Sequence, residues 1–139
     1  METPISTRTH AMLDYLTVGT MLAIPRLLGS SERFTRAVTM LALGKLAYAM
    51  LTRHEGGIVK AIPMKTHLAL DIGGGAALAA LPFLMDEDDP ATVAACLGQG
   101  LFDIAAAPMT ETTPSFDEPD HDWSEQAAPM RSVEHARAN

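Results

Sequence analysis

Cysteine is nearly absent from this chain: Cys96 stands alone, which excludes an internal disulfide and any cysteine-built metal cluster. Charge is scarce too, at 19% of 139 residues against 47% hydrophobic. What charge there is sums to −7, which leaves no basic footprint for nucleic acid. Polar residues are also missing from most of residues 1–110 and collect in the acidic, proline-containing stretch 111–139.

What is present is four apolar segments, at about 11–28, 35–52, 66–85 and 91–109. Each approaches the ~20 residues that a helix needs to cross ~30 Å of hydrocarbon. A soluble four-helix bundle needs a polar stripe on every helix. The third segment offers almost none, since after Asp71 it runs IGGGAALAALPFLM. The expected fold class is therefore all-α, with four transmembrane helices. The first segment, with Asp14 inside it, is expected to stay in the mature protein rather than serve as a signal peptide.

The chain repeats itself. HAMLDYLTVGTMLAIP at 10–25 and HLALDIGGGAALAALP at 67–82 share His, Leu-Asp, Ala and Pro at a constant offset of 57 residues. LGKLAYAMLT at 43–52 and LFDIAAAPMT at 101–110 match more loosely, at 58. The unit is a two-helix hairpin used twice, at about 6–55 and 63–110, making a bundle of two tandem hairpins over residues 1–110.

Thr9-His10-Ala11-Met12-Leu13-Asp14 and Thr66-His67-Leu68-Ala69-Leu70-Asp71, each opening an apolar helix closed by Pro, resemble the SPW-repeat group of small bacterial membrane proteins. Ala-Ile-Pro at 23–25 and Ala-Leu-Pro at 80–82 stand where that group has its name-giving triplet. The resemblance implies a four-helix integral membrane protein of the bacterial inner membrane and brings no known reaction with it.

Alternating helix direction puts the starts of helices one and three beside the ends of helices two and four. His10 and His67 then lie at that interface, with Asp14 and Asp71 one turn, about 6 Å, deeper. Lys45 falls about 10 Å from the same side, Asp103 at a similar depth, and Tyr48 one turn nearer the surface. The charges thus fall in one half of the bilayer, where each costs at least ~2.5 kcal/mol unless paired. His10 with Asp14, and His67 with Asp71, are i,i+4 pairs on one helix face. Lys45 is expected to face inward and pair with Asp14 or Asp71 rather than its counterpart Asp103. Three readings of this cluster stay open: a structural network fixing helix register, a proton, ion or small-solute site, or a haem held between His10 and His67. No other cofactor and no metal site are expected.

Gly73-Gly74-Gly75 lacks the strand and Lys-Ser/Thr of a phosphate loop and reads as close helix packing, as do Gly19, Gly44, Gly98 and Gly100. Pro25 and Pro82 are expected to end or kink their helices, and Gln99 to bond between helices. Ser30 or Ser31 should cap helix two. The acids of DEDDP at 86–90 read as a helix N-terminal cap rather than a calcium loop. Arg8, Arg53, Lys60 and Lys65 on one side, against Arg26, Arg33 and Arg36 on the other, point to a multi-pass cell-membrane protein with both termini cytoplasmic. The tail from 111 is expected to be disordered and reads first as a solubilising segment, with Phe116 and Trp123 as anchors for a partner the alternative. The expected function is a structural or accessory membrane component without catalysis. Its expected partners are the lipid bilayer, other membrane proteins or a second copy of the chain.

Overall fold

The computed structural model describes residues 3–117. It is all-helical: α1 (Thr7–Leu27), α2 (Glu32–Leu51), α3 (Met64–Leu84) and α4 (Pro90–Ala106), with α4 prolonged by a 3-10 turn at Ala107–Met109. A second 3-10 turn spans Ser115–Asp117. Three helices are long and apolar enough to cross a membrane: Glu32–Leu51, Met64–Leu84 and Pro90–Met109. α1 has 21 residues but is not among them, because Thr7, His10, Asp14, Thr17 and Arg26 dilute its apolar content.

The duplication runs through the backbone. α3 repeats both ends of α1 at an offset of 57, and α4 with its 3-10 turn repeats both ends of α2 at 58. The extra residue falls in the loop between α3 and α4. The helix ends are copied as well. Leu28 N–H donates to Ile24 O and Ser30 N–H to Pro25 O; Met85 N–H donates to Leu81 O and Glu87 N–H to Pro82 O. Both loops then turn through a left-handed residue, Gly29 at φ 71° and Asp86 at φ 55°. Glycine takes that conformation freely, and Asp is among the few residues that tolerate it. Ser31 caps α2 by accepting from Phe34 N–H, and Asp89 caps α4 by accepting from Thr92 N–H. Pro25 and Pro82 lie buried in the last turn of their helices, which stop two residues later.

α1 packs chiefly on α2, and α3 on α4. The loop end of the bundle is apolar, built from Met21, Phe34, Val38, Ala42, Leu78 and Cys96. The opposite end is polar. The glycines divide. A Cβ on Gly75 would lie 2.6 Å from Gly100 O, and one on Gly100 2.4 Å from Gly75 O, so α3 and α4 touch there backbone to backbone. Gly19, Gly44, Gly73 and Gly98 were expected to pack likewise; they instead sit on the outer face with open space where a side chain would go. Gln99 does bond between helices: it donates to Thr17 O at 3.0 Å and accepts from Thr20 Oγ1 at 2.6 Å.

The start of the expected tail is anchored. Glu111 N–H donates to Ile5 O at 2.9 Å, and Ser115 donates twice to Glu55 Oε1. Arg53 makes a two-pronged bond to Asp117 at 2.6 and 2.8 Å. Phe116 lies under Lys60 Nζ at 4.7 Å and Arg53 at 5.6 Å, so it meets the chain's own central loop. Burial would raise the Glu55 carboxyl, but bonds from Ser115 and Thr7 outweigh it and hold the carboxyl down at about 2. Trp123 and the tail beyond residue 117 lie outside the described residues.

Candidate functional site

At the polar end, the interior of the bundle holds a closed set of ionisable side chains: His10, Asp14, Lys45, His54, His67, Asp71 and Asp103 are all buried. α1 and α3 each contribute a histidine and an aspartate one turn apart, α2 contributes Lys45 and Tyr48, and α4 contributes Asp103.

Lys45 is the hub. Its Nζ lies 2.5 Å from Asp71 Oδ1, 3.1 Å from Asp14 Oδ1 and 3.6 Å from Asp103 Oδ2. The two aspartates on neighbouring helices are nearer than the repeat-related Asp103, as expected. Tyr48 also donates to Asp71 Oδ1, at 2.7 Å. Asp71 therefore spends one carboxylate oxygen on Lys45 and Tyr48, leaving Oδ2 to face the histidines.

The histidines are gripped across the repeat. His10 Nε2 lies 2.9 Å from Asp71 Oδ2, and His67 Nε2 lies 2.9 Å from Asp14 Oδ2. The partners on the same helix are farther, at 3.7 Å for His10–Asp14 and 3.1 Å for His67–Asp71. The other ring nitrogen obeys the same rule. His10 Nδ1 meets Thr110 Oγ1 at 2.9 Å, and His67 Nδ1 meets Thr52 Oγ1 at 2.8 Å. Each threonine hydroxyl already donates to its own helix, Thr110 to Ala106 O and Thr52 to Tyr48 O. Its lone pair must then accept, so Nδ1 carries the proton and Nε2 is turned to the carboxylates.

Thr52, Thr110 and His54 were not expected in the site. The threonines stand at helix ends, where a sequence shows only a capping residue. Their equivalence at the 58-residue offset was the available signal. His54 lies in the central loop, fully buried, its ring 5.3 Å from that of His67. Its Nδ1 accepts from Gly56 N–H, and its Nε2 is 3.9 Å from Asp14 Oδ2. Burial, and then the neighbouring His67, lower its pKa and keep it neutral.

A haem does not fit between His10 and His67. Their rings meet edge to face with centroids 5.3 Å apart, too close for a porphyrin and its iron to lie between them. A cleft of about 280 Å³ reaches the cluster from the side of the bundle, between α2 and α3. Met40, Leu41 and Leu70 line it, and Lys45, Tyr48 and Asp103 contribute its polar part. Compared with protein families, curated proteins and solved structures, the chain matches none, so its likeness to SPW-repeat proteins rests on the two Thr-His-x-x-Leu-Asp motifs alone.

Proposed function

We propose that this chain is a four-span integral membrane protein without catalysis of its own, a structural or accessory component of a membrane assembly. The observation that carries this is the inversion of its surface. The ionisable cluster is buried, and large apolar side chains point outward from every helix: Met12 and Leu16 on α1, Met40 on α2, Phe83 on α3, Leu101 on α4. Soluble monomers rarely expose contiguous apolar patches larger than roughly a few hundred Å². The same inversion supports α1 as the fourth span, since its His10, Asp14 and Thr17 face inward while Met12, Leu16 and Leu27 face outward. In that setting the Lys45–aspartate cluster locks the two hairpins together, and both termini face the cytoplasm.

The experiment is fractionation. The chain should remain with membranes after alkaline carbonate washing and leave them only with detergent. Recovery as a monodisperse soluble protein without detergent would defeat the reading. The lateral cleft favours a second reading, handling of a proton, ion or small solute at the cluster. Its volume is near the lower bound of ~300 Å³ for small-ligand pockets. Flux into proteoliposomes that disappears in Lys45→Met, with the helical content retained, would support it.

A further inference from the structure

We propose that His10, Asp14, His67 and Asp71 form a four-coordinate site for a divalent transition-metal ion, on the seam between the two hairpins. The inference goes beyond the membrane reading and does not depend on it.

Three independent observations carry it. The first is geometric. One donor atom from each of the four buried residues can be chosen so that all lie within 4.8 Å of one another. The four histidine–carboxylate separations are 2.9, 2.9, 3.1 and 3.7 Å. Zinc–nitrogen and zinc–oxygen bonds of ~2.0–2.2 Å, arranged tetrahedrally, require donor separations of roughly 3.3–3.6 Å. The 3.7 Å contact is to Asp14 Oδ1 and the 2.9 Å contact of His67 to Asp14 Oδ2, so either oxygen of Asp14 can serve as the fourth donor.

The second observation concerns direction. His67 Nε2 and Asp14 Oδ2 lie 2.9 Å apart, within hydrogen-bonding distance, yet neither atom has a hydrogen-bond partner. Both residues are at least 98% buried, so water does not compensate either atom. The contact thus fails as a hydrogen bond on direction rather than on distance. The tautomer agrees. With Nδ1–H given to Thr52 and Thr110, a neutral histidine sets its Nε2 lone pair against a carboxylate oxygen 2.9 Å away, a repulsion that a cation bound between them relieves. Metal-binding histidines are held in this way, with the outer N–H tied to an oxygen acceptor.

The third observation is charge. Asp14, Asp71 and Asp103 bring three negative charges, and Lys45 returns one. A buried excess of two is costly. One divalent cation removes it, with the histidines as neutral ligands. Two imidazole nitrogens with two carboxylate oxygens suit zinc or ferrous iron better than magnesium or calcium, which prefer all-oxygen shells. The competing way to balance the charge is a proton on each histidine, and the experiment separates the two.

Full-length protein, purified in detergent without a polyhistidine tag and stripped with chelator, is titrated with Co²⁺. The expected result is the intense visible absorption of four-coordinate cobalt, saturating at one ion per chain and abolished by Zn²⁺. Zn²⁺ should also raise the thermal midpoint. Thr52→Val with Thr110→Val should weaken binding about 10- to 100-fold while keeping the spectrum. His10→Ala and His67→Ala should each remove the spectrum. Absence of the cobalt bands and of a zinc-induced shift in folded wild-type protein would overturn the proposal in favour of the protonated cluster. A spectrum that survives both histidine variants would also overturn it, by placing the ion elsewhere. Because these readouts are made in detergent, they are independent of the fractionation that tests membrane residence.

Discussion

The two hairpins share a backbone plan and differ at the positions that matter for charge and spacing. Lys45 in the first occupies the position of Asp103 in the second, so one repeat supplies the cation that the other's acids require. Close approach is unevenly divided as well. α3 and α4 meet backbone to backbone through Gly75 and Gly100, whereas α1 and α2 have the larger Val18 and Ala42 at those positions. The first hairpin is held at its core by side chains and the second by backbone proximity. The two halves share a scaffold and differ in the residues that fill it.

The largest effect should come from breaking the charge asymmetry. Lys45→Met leaves three carboxylates facing two histidines and should destabilise the metal-free protein by about 3–5 kcal/mol, the usual cost of orphaning a buried charge. Asp103→Asn removes the most distant of the three acids and should change stability by less than about 1 kcal/mol. Thermal unfolding in a fixed detergent, followed by circular dichroism, compares the two. A sharper form exchanges the charges: Lys45→Asp with Asp103→Lys should be more stable than Lys45→Asp alone. If the double variant is no better than the single, positions 45 and 103 are not interchangeable and the equivalence of the repeats fails at the site.

Spacing gives the next effect. Gly75→Ala or Gly100→Ala places a methyl against backbone and should cost about 1–3 kcal/mol through overpacking. Gly44→Ala, on the outer face of the first hairpin, should gain up to about 1 kcal/mol from helix propensity. Equal losses at both places would show that the helix approaches are alike.

The smallest effect lies outside the helices, at the contact between residues 111–117 and the central loop. Glu55 is held at about 2 when bonded and titrates near 4.5 when free. A lowered folded-state pKa means that its contribution is complete above about 4.5 and is lost as the pH falls toward about 2. Proteolysis or hydrogen exchange at residues 111–117 should therefore rise across that window. Glu55→Gln should show the loosened state already at neutral pH, with the helices unaffected.

Much of the fold could be read from residue types and spacing because the repeat preserved rare letters. His, Asp and Pro at one offset are informative where Leu and Ala are not, and they set both hairpins. The pairing of Lys45 was legible for a similar reason, since a buried ammonium must find a carboxylate and depth alone limits the choice. Partner choice within the cluster was less legible. Spacing on one helix suggests His10 with Asp14, but the closest contacts cross between hairpins, a relation that only packing creates. His54 was hidden because a loop residue carries no periodicity. The outward glycines were misjudged because a sequence shows that a residue is small without showing which way it faces. Residues 111–117 looked like free tail because their anchors, Glu55 and Arg53, are about 60 positions away.

The grip across the seam has a historical consequence. Each histidine takes both of its closest partners, a threonine and an aspartate, from the other hairpin. A lone hairpin thus lacks the closest threonine and aspartate of its own histidine, while two copies about a two-fold axis supply both. That is the logic of an isologous dimer, here joined into one polypeptide. A symmetric ancestor would have carried the same residue at both places now held by Lys45 and Asp103. It would have set two like charges across the axis, or none. Within one polypeptide those two positions can differ, and the opposite charges at the centre of this protein are an arrangement that a symmetric dimer forbids.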